Sequence, residues 1–408
     1  MEKTVAVIGA LDSKEQEYGY LIGKIQEYGC KVCLVDIGVL AEPLELVPDV
    51  NAAQVARTGG VDIRTLRKER NREKSLECMA AGGGNILKEL CSQGRIQGVI
   101  AMGGGQGTYM AGLIFKKLPI GFPKVLISTI ATSTYDQQQF AGINDTMVIN
   151  PLVDVAGDNS VIRMIMDRGA AAIAGMTLHS SGKELESDKT KVGITMWGVT
   201  TPCVEHVKEI LEEKGYEVLI FHATGLGGPA MEDLILQGKL AGILDITLAE
   251  LGNQLTGGTF DKCDYRCTSA AKMGIPQVVI PGGLDMIKYV PPENLPPKFQ
   301  NRKKYMHNAN LLFVRSNEEE NEKMGMEISR RVSRSEGPVK ILFPSKGISA
   351  VDKEGEIFYD PQADQALMDG LKKGLSGNAE LIPLDFHIND VGFAEMAANI
   401  FLNLMETK

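Results

Sequence analysis

The sequence predicts an α/β protein made of two doubly wound halves, each built on a parallel sheet, and three observations carry that prediction. Short β-branched runs alternate with amphipathic helical segments, the pattern of β-α-β units. The order of strand and turn signals in the first half returns in the second. One apolar run, Val99-Ile-Ala-Met, ends in four glycines within five residues, Gly103, Gly104, Gly105 and Gly107, and opens a helix. Together these describe two Rossmann-like subdomains, residues 1–184 and 185–408, with sheets facing a cleft and an internal duplication.

Thr4 to Gly9 is the first strand. The turn Ala10-Leu-Asp-Ser-Lys14 supplies a cap for the amphipathic helix Glu15 to Tyr28, and Gly29 ends that helix. Lys31 to Gly38 is the second strand, so the chain opens with a right-handed β-α-β unit. Residues 41–75 are polar and broken by prolines; their charged run Arg64 to Lys74 reads either as a solvated helix face or as an arginine lid over bound phosphate. Asn85 to Ser92 is helical and precedes the strand that runs into the glycines.

Glycines free of Cβ can take positive φ and turn successive N–H groups toward one point, and the helix from Thr108 to Lys117 adds its positive end. The stretch therefore reads as a cradle for phosphate or carboxylate, or else as a tight turn with close helix-on-strand packing. It lacks the Lys-Ser/Thr of a Walker loop, and Thr108 replaces the third glycine of a dinucleotide fingerprint. The next strand, Gly121 to Thr129, ends in hydroxyls, with Thr129, Thr132 and Ser133 at its carboxyl end. Ligands of open parallel sheets bind outside the carboxyl ends of strands, so cradle and hydroxyls share a crevice that Asp154 can also line. The hydrophilic stretch 181–191 is the linker.

The chain then begins again. Gly29-Cys-Lys-Val is echoed by Gly215-Tyr-Glu-Val, Gly94-Arg-Ile-Gln-Gly98 by Gly238-Lys-Leu-Ala-Gly242, and Gly121-Phe-Pro by Gly274-Ile-Pro. A glycine-rich turn at Gly225 to Gly228 predicts a second anion site. His222, Asp245, Glu250 and Asp285 are expected at strand ends on one rim, as acid/base chemistry or a divalent metal requires, or else as caps of the following helices. Lys346, in Ser345-Lys-Gly-Ile-Ser349, and His387, in Phe386-His-Ile-Asn-Asp390, follow later strands.

A net charge of −9 gives no field for a nucleic-acid backbone, and no apolar run reaches the ~20 residues of a membrane span, so a cytoplasmic protein binding neither nucleic acid nor membrane is expected. Seven cysteines, an odd number thinly spread, predict reduced thiols. Cys263 and Cys267 are the pair nearest to metal-ligand spacing, and no second pair accompanies them.

Taken together, Val5-Ala-Val-Ile-Gly, Gly103-Gly-Gly-Gln-Gly-Thr108, Gly198-Val-Thr-Thr-Pro-Cys203, Phe221-His-Ala-Thr-Gly225, Leu244-Asp-Ile-Thr247, Phe358-Tyr-Asp-Pro361 and His387-Ile-Asn-Asp390 resemble a known family over about residues 3–402. It is the family of the ATP-binding N-terminal domain of the plant tobamovirus resistance protein, with bacterial and fungal members. The resemblance implies a two-subdomain protein that binds ATP with Mg²⁺ in its first half and forms homodimers. The family's cradle reads Gly-Gly-Ser-Gly-Gly-Thr, so Gly105 and Gln106 are departures that remove a hydroxyl. On this reading Gly103, Gly104, Gly105, Gly107, Thr108, Thr129, Thr132 and Ser133 hold the phosphates, and Asp12 and Asp154 serve a metal or the ribose. An ATP-dependent enzyme would place a small-molecule substrate in the second half, with His222, Glu250, Asp285, Lys346 and His387 as acid/base groups. A regulatory module would bind nucleotide without turnover.

Overall fold

The computed structural model describes residues 2–131, 145–179, 188–259, 264–290 and 292–407. The chain divides into two compact units, Met1–Glu186 and Ser187–Lys408.

In the first unit β1 (Thr4–Gly9), β2 (Lys31–Asp36), β3 (Gly98–Gly103), β4 (Lys124–Ser128) and β5 (Met147–Ile149) form a parallel sheet in the order β2-β1-β3-β4-β5. Alternation along β1 sends Val5 and Val7 to one face and Ala6 and Ile8 to the other. The first face packs on α1 (Leu11–Glu27) and α6 (Ser160–His179) through Leu21, Ile25, Ile162 and Ile173. The second packs on α2 (Ala52–Thr58), α4 (Arg72–Ser92) and α5 (Gly105–Phe115) through Val55, Met79, Leu87 and Ile114. A sheet covered on both faces explains the continuous apolar runs of its strands. Helix α4 starts thirteen residues before the helix expected from Asn85, passing through Gly82-Gly-Gly84. The glycines there serve close packing, since a Cβ on Gly82 would stand 2.0 Å from the Val55 carbonyl oxygen. The chain winds from β1 to β2 on one side and returns to β3 on the other, so the topological switch lies between the carboxyl ends of β1 and β3.

In the second unit β6 (Lys191–Met196), β7 (Glu217–His222), β8 (Gly242–Thr247), β9 (Gln277–Gly282), β13 (Val339–Pro344) and β14 (Glu380–Leu384) form a parallel sheet in the order β14-β13-β9-β8-β6-β7. Helices α7 (Thr201–Glu213) and α13 (Val391–Glu406) cover one face through Val204, Val207, Phe393 and Phe401. The duplicated plan is visible in this order, where β7-β6-β8-β9 matches β2-β1-β3-β4. It extends to single bonds: Gln97 N–H donates to the Thr4 carbonyl at 2.8 Å, and Ala241 N–H to the Lys191 carbonyl at 2.9 Å. The echoed glycines are the same left-handed turns, with φ of 87° and 88° at Gly29 and Gly215 and 67° and 70° at Gly94 and Gly238. An antiparallel sheet of β10 (Met286–Tyr289), β11 (Lys304–Asn308) and β12 (Leu311–Arg315) has no counterpart among the described residues of the first unit. Among the described residues no helix is long and apolar enough to cross a membrane.

Candidate functional site

At the switch of the first unit β3 passes directly into α5. Gly104 is the N-cap, with φ −81° and ψ −159° and no side-chain cap. None of Gly103, Gly104, Gly105 and Gly107 takes positive φ, so the cradle is not the left-handed nest expected from the sequence. It is the bare first turn of a helix that starts three residues earlier than expected, whose leading N–H groups have no intrahelical acceptor. The glycines divide by role. A Cβ on Gly103 would stand 2.9 Å from Gly107 Cα, which is packing, whereas one on Gly105 would meet nothing within 4 Å.

Thr108 is a correction: it is fully buried, and its hydroxyl lies 2.6 Å from Ser128 Oγ, turned into the core rather than toward a ligand. Thr129 sits beside Gly104, with its Oγ1 3.6 Å from where a Gly104 Cβ would be. Thr132 and Ser133 lie outside the described residues.

The turn opens into a cavity of about 330 Å³. The carboxyl ends of β1 and β3, Ala10, Ser13 and Lys14 of the following turn, Tyr18, the start of α5, Arg72 and Asp154 form its walls, with Ile37, Met110 and Ile114 as an apolar side. Lys14 sits at a kink in α1, with φ −140° and ψ 31°, and its ammonium donates to the Val155 carbonyl. Arg72, exposed at the start of α4, pairs with no carboxylate among the described residues. An uncapped helix start and two cations without acidic partners among the described residues favour an anion.

Asp12 does not line this cavity; its Oδ2 accepts Val39 N–H and Leu40 N–H, both at 2.8 Å, and fixes the loop after β2. Sequence reasoning passed over Asp36, the acidic residue that ends β2. Burial pushes its carboxyl up to about 6, against the bonds from Gly38 N–H at 2.8 Å and Leu11 N–H at 3.1 Å that favour the charge. An acid at the end of the second strand is the signal that would have found it.

The second unit does not gather its expected acid/base groups. Glu250, in the first turn of α9 (Ala249–Thr256), is fully buried. Its Oε1 accepts Gly225 N–H and Gly228 N–H, each at 3.0 Å, and its Oε2 accepts Arg266 Nε at 2.8 Å. The predicted second anion site is therefore filled by the protein's own carboxylate. Arg266 also holds both oxygens of Asp245, at 2.7 and 2.8 Å, and reaches Glu232 at 3.3 Å. Cys267 is buried with its Sγ 3.5 Å from Asp245 Oδ2, and Cys263 lies outside the described residues.

Asp285 and His387 do converge, but in the interior. Asp285 Oδ2 accepts Ser349 Oγ at 2.7 Å, and His387 Nε2 lies 2.9 Å from the Ser349 carbonyl. Because His387 Nδ1 accepts Asn389 N–H at 3.1 Å, the proton belongs on Nε2. His222 is exposed at the end of β7, three strand positions from β9, or about 14 Å along the sheet edge at ordinary strand spacing, whereas Asp285 is buried. Lys346 is exposed and pairs with Asp385 at 3.0 Å.

Beside Asp285 the guanidinium of Arg315 serves Asp364 at 2.6 Å and Asp352 at 3.6 Å. Burial, and then the charge of Asp352, push Asp285 up to about 7 and Asp364 up to about 8 despite Arg315. Groups raised above their unfolded value near 4 hold protons in the folded state, so their stabilisation is full below that value and is lost as pH climbs to about 8. The urea midpoint followed by Trp197, the one tryptophan, is expected to fall between pH 5 and pH 8.5, and to fall less in Asp364→Asn. Equal slopes in the two proteins would refute the assignment.

Comparison with known proteins places these observations in a lineage. The model of the uncharacterised protein family (UPF0261) N-terminal domain matches residues 3–181, and that of its C-terminal domain residues 189–405. A UPF0261 protein of Clostridium tetani is 38% identical over 407 residues and covers 100% of both chains. The ToMV resistance protein Tm-1(GCR237) of Solanum lycopersicum is 39% identical over 76% of this chain and 42% of its own length. The susceptible protein tm-1(GCR26) of the same plant is 36% identical over 84% and 50%. This chain thus spans half or less of those two plant relatives. Among solved structures a UDP-N-acetylglucosamine 2-epimerase aligns over 92% of each chain at 10% identity with a TM-score of 0.26, a likeness that carries no functional argument.

Proposed function

This chain belongs to the UPF0261 family, and from that premise and the first unit's geometry we propose that it binds a Mg²⁺-nucleotide, ATP by preference, at the β1/β3 switch. The observation that carries the reading is the meeting of an uncapped helix start, Lys14 and Arg72 on one cavity. Phosphate oxygens accept from the first-turn N–H groups of α5, and the two cations neutralise the chain of charges. Asp154 faces the same space, exposed, and supplies a carboxylate for Mg²⁺ or a ribose hydroxyl. Ile37, Met110 and Ile114 give the base an apolar wall. Burial of Glu250 and Asp285 and the separation of His222 and Lys346 favour binding without turnover over acid/base chemistry in the second unit.

The test is calorimetry and thermal shift of the full chain with Mg-ATP. Arg72→Ala removes an exposed cation that pairs with no carboxylate among the described residues, so the apo melting temperature is expected to stay put while affinity falls about tenfold, or about 1.4 kcal/mol. Absence of any response to nucleotides would overturn the proposal.

A further inference from the structure

Strands β1 and β3 are paired from Val5↔Gly98 to Ile8↔Ala101, and past that rung a side chain from α1 stands between them. Tyr18, 1% exposed, accepts Met102 N–H on its hydroxyl at 3.1 Å and donates to the Met102 carbonyl at 2.7 Å, with the Ile8 carbonyl 3.2 Å away. One phenol thus takes over the rungs that the diverging strands cannot make. Its ring lies on Gly9, where a Cβ would stand 1.9 Å from Tyr18 Cζ. Burial pushes the phenol far up, so it stays a neutral bridge at any pH of interest.

One feature of dinucleotide recognition is thereby closed off. A dinucleotide lays its pyrophosphate over the first βα turn, where glycine lets the backbone approach, and gives its ribose to an acid at the end of the second strand. Here the open face of Gly9 is covered by the Tyr18 ring, whereas Asp36 is fully buried, its Oδ1 accepting Leu11 N–H and Gly38 N–H and its Oδ2 having no hydrogen-bond partner among the described residues. The first-turn N–H groups that lack an intrahelical acceptor lie instead on the β3 side, at the uncapped start of α5.

Resting on the nucleotide reading above, we infer that Tyr18 is a specificity-determining residue that shuts the β1 side of the crevice, so that the site takes a single nucleotide with its polyphosphate and rejects dinucleotides. The neutral phenol repels no phosphate, so the exclusion is steric and follows ring size rather than charge.

Calorimetry on the full-length chain with Mg-ATP and with NAD⁺ tests this. The unaltered protein is expected to prefer Mg-ATP by about 100-fold. Tyr18→Phe keeps the ring, so it lowers the apo melting temperature and leaves that ratio within about threefold. Tyr18→Ala opens the space over Gly9, and the ratio falls by about tenfold or more. Should that variant fail to fold, Tyr18→Leu, which keeps more of the buried apolar volume than alanine, is expected to lower the ratio in the same direction. A simple structural role would weaken both ligands alike and leave the ratio fixed. Binding of Mg-ATP with NAD⁺ equally tight, or a ratio unmoved by truncation, overturns the role of Tyr18 alone. Binding of neither ligand overturns the nucleotide reading, and this inference with it.

Discussion

A Gly105→Asp protein is expected to keep its melting temperature and to lose nucleotide binding by about 100-fold, near 2.8 kcal/mol. The two halves of that expectation come from one geometric fact. A Cβ at Gly105 meets no atom within 4 Å, so the substitution forces nothing to move. An acid at the first helical position also favours the apo helix by about 0.3–1 kcal/mol, because it faces the positive end of the macrodipole. The same carboxylate then occupies the place proposed for a phosphate and repels the rest of the chain of charges. Gly103→Ala makes the opposite control. Its Cβ would lie 2.9 Å from Gly107 Cα, backbone on backbone, so it is expected to lower stability first and binding only through it. Calorimetry and thermal melting of both variants separate a glycine kept open for a ligand from one kept small for packing. Undiminished Mg-ATP affinity in Gly105→Asp would place the ligand elsewhere.

Much of the architecture was legible because it is written in short-range signals. Gly29, Gly94 and Gly121 end or begin elements by adopting φ that other residues avoid, and Gly215, Gly238 and Gly274 repeat them, so the duplication could be read before any contact was known. The place of the anion-binding turn was legible for the same reason, but not its conformation. Four glycines license positive φ without requiring it, and here close packing of Gly103 on Gly107 used the missing side chains instead. The cavity's other groups come from distant segments. Tyr18 sits on a helix whose apolar face reads as ordinary core, and Arg72 belongs to a charge run that reads as well as a solvated surface. The second unit shows the sharper limit. An acid near a strand end looks the same whether it awaits a substrate or meets an internal arginine, and Glu250 met Arg266. Arg266 lies in an aperiodic stretch between α9 and α10 (Ser269–Met273), where no pattern announces a buried cation.

That cation carries the largest stability effect expected in the molecule. Arg266 is 0% exposed, and Asp245, Glu250 and Glu232 around it are equally shut off from water. Burial pushes the Glu232 carboxyl up, with the charge of Arg266 pulling it back down. Replacing the arginine with methionine keeps most of the volume but leaves the carboxylates facing one another without a counter-charge. Breaking a buried pair in this way costs about 3–5 kcal/mol, because the ions left behind have neither water nor partner. Glu250 would also loosen its grip on Gly225 N–H and Gly228 N–H, so the start of α8 (Gly227–Leu236) should fray before the sheet does. The loss has a sign with pH. Glu232, raised by burial and held back by Arg266, keeps its proton more tightly in the folded state once the arginine is gone, so the deficit of Arg266→Met is greatest at pH 8 and shrinks toward pH 5. Urea titrations followed by Trp197, in the same unit, read this directly. A midpoint that drops equally at both pH values would mean that lost packing, rather than stranded charge, is what the arginine prevents.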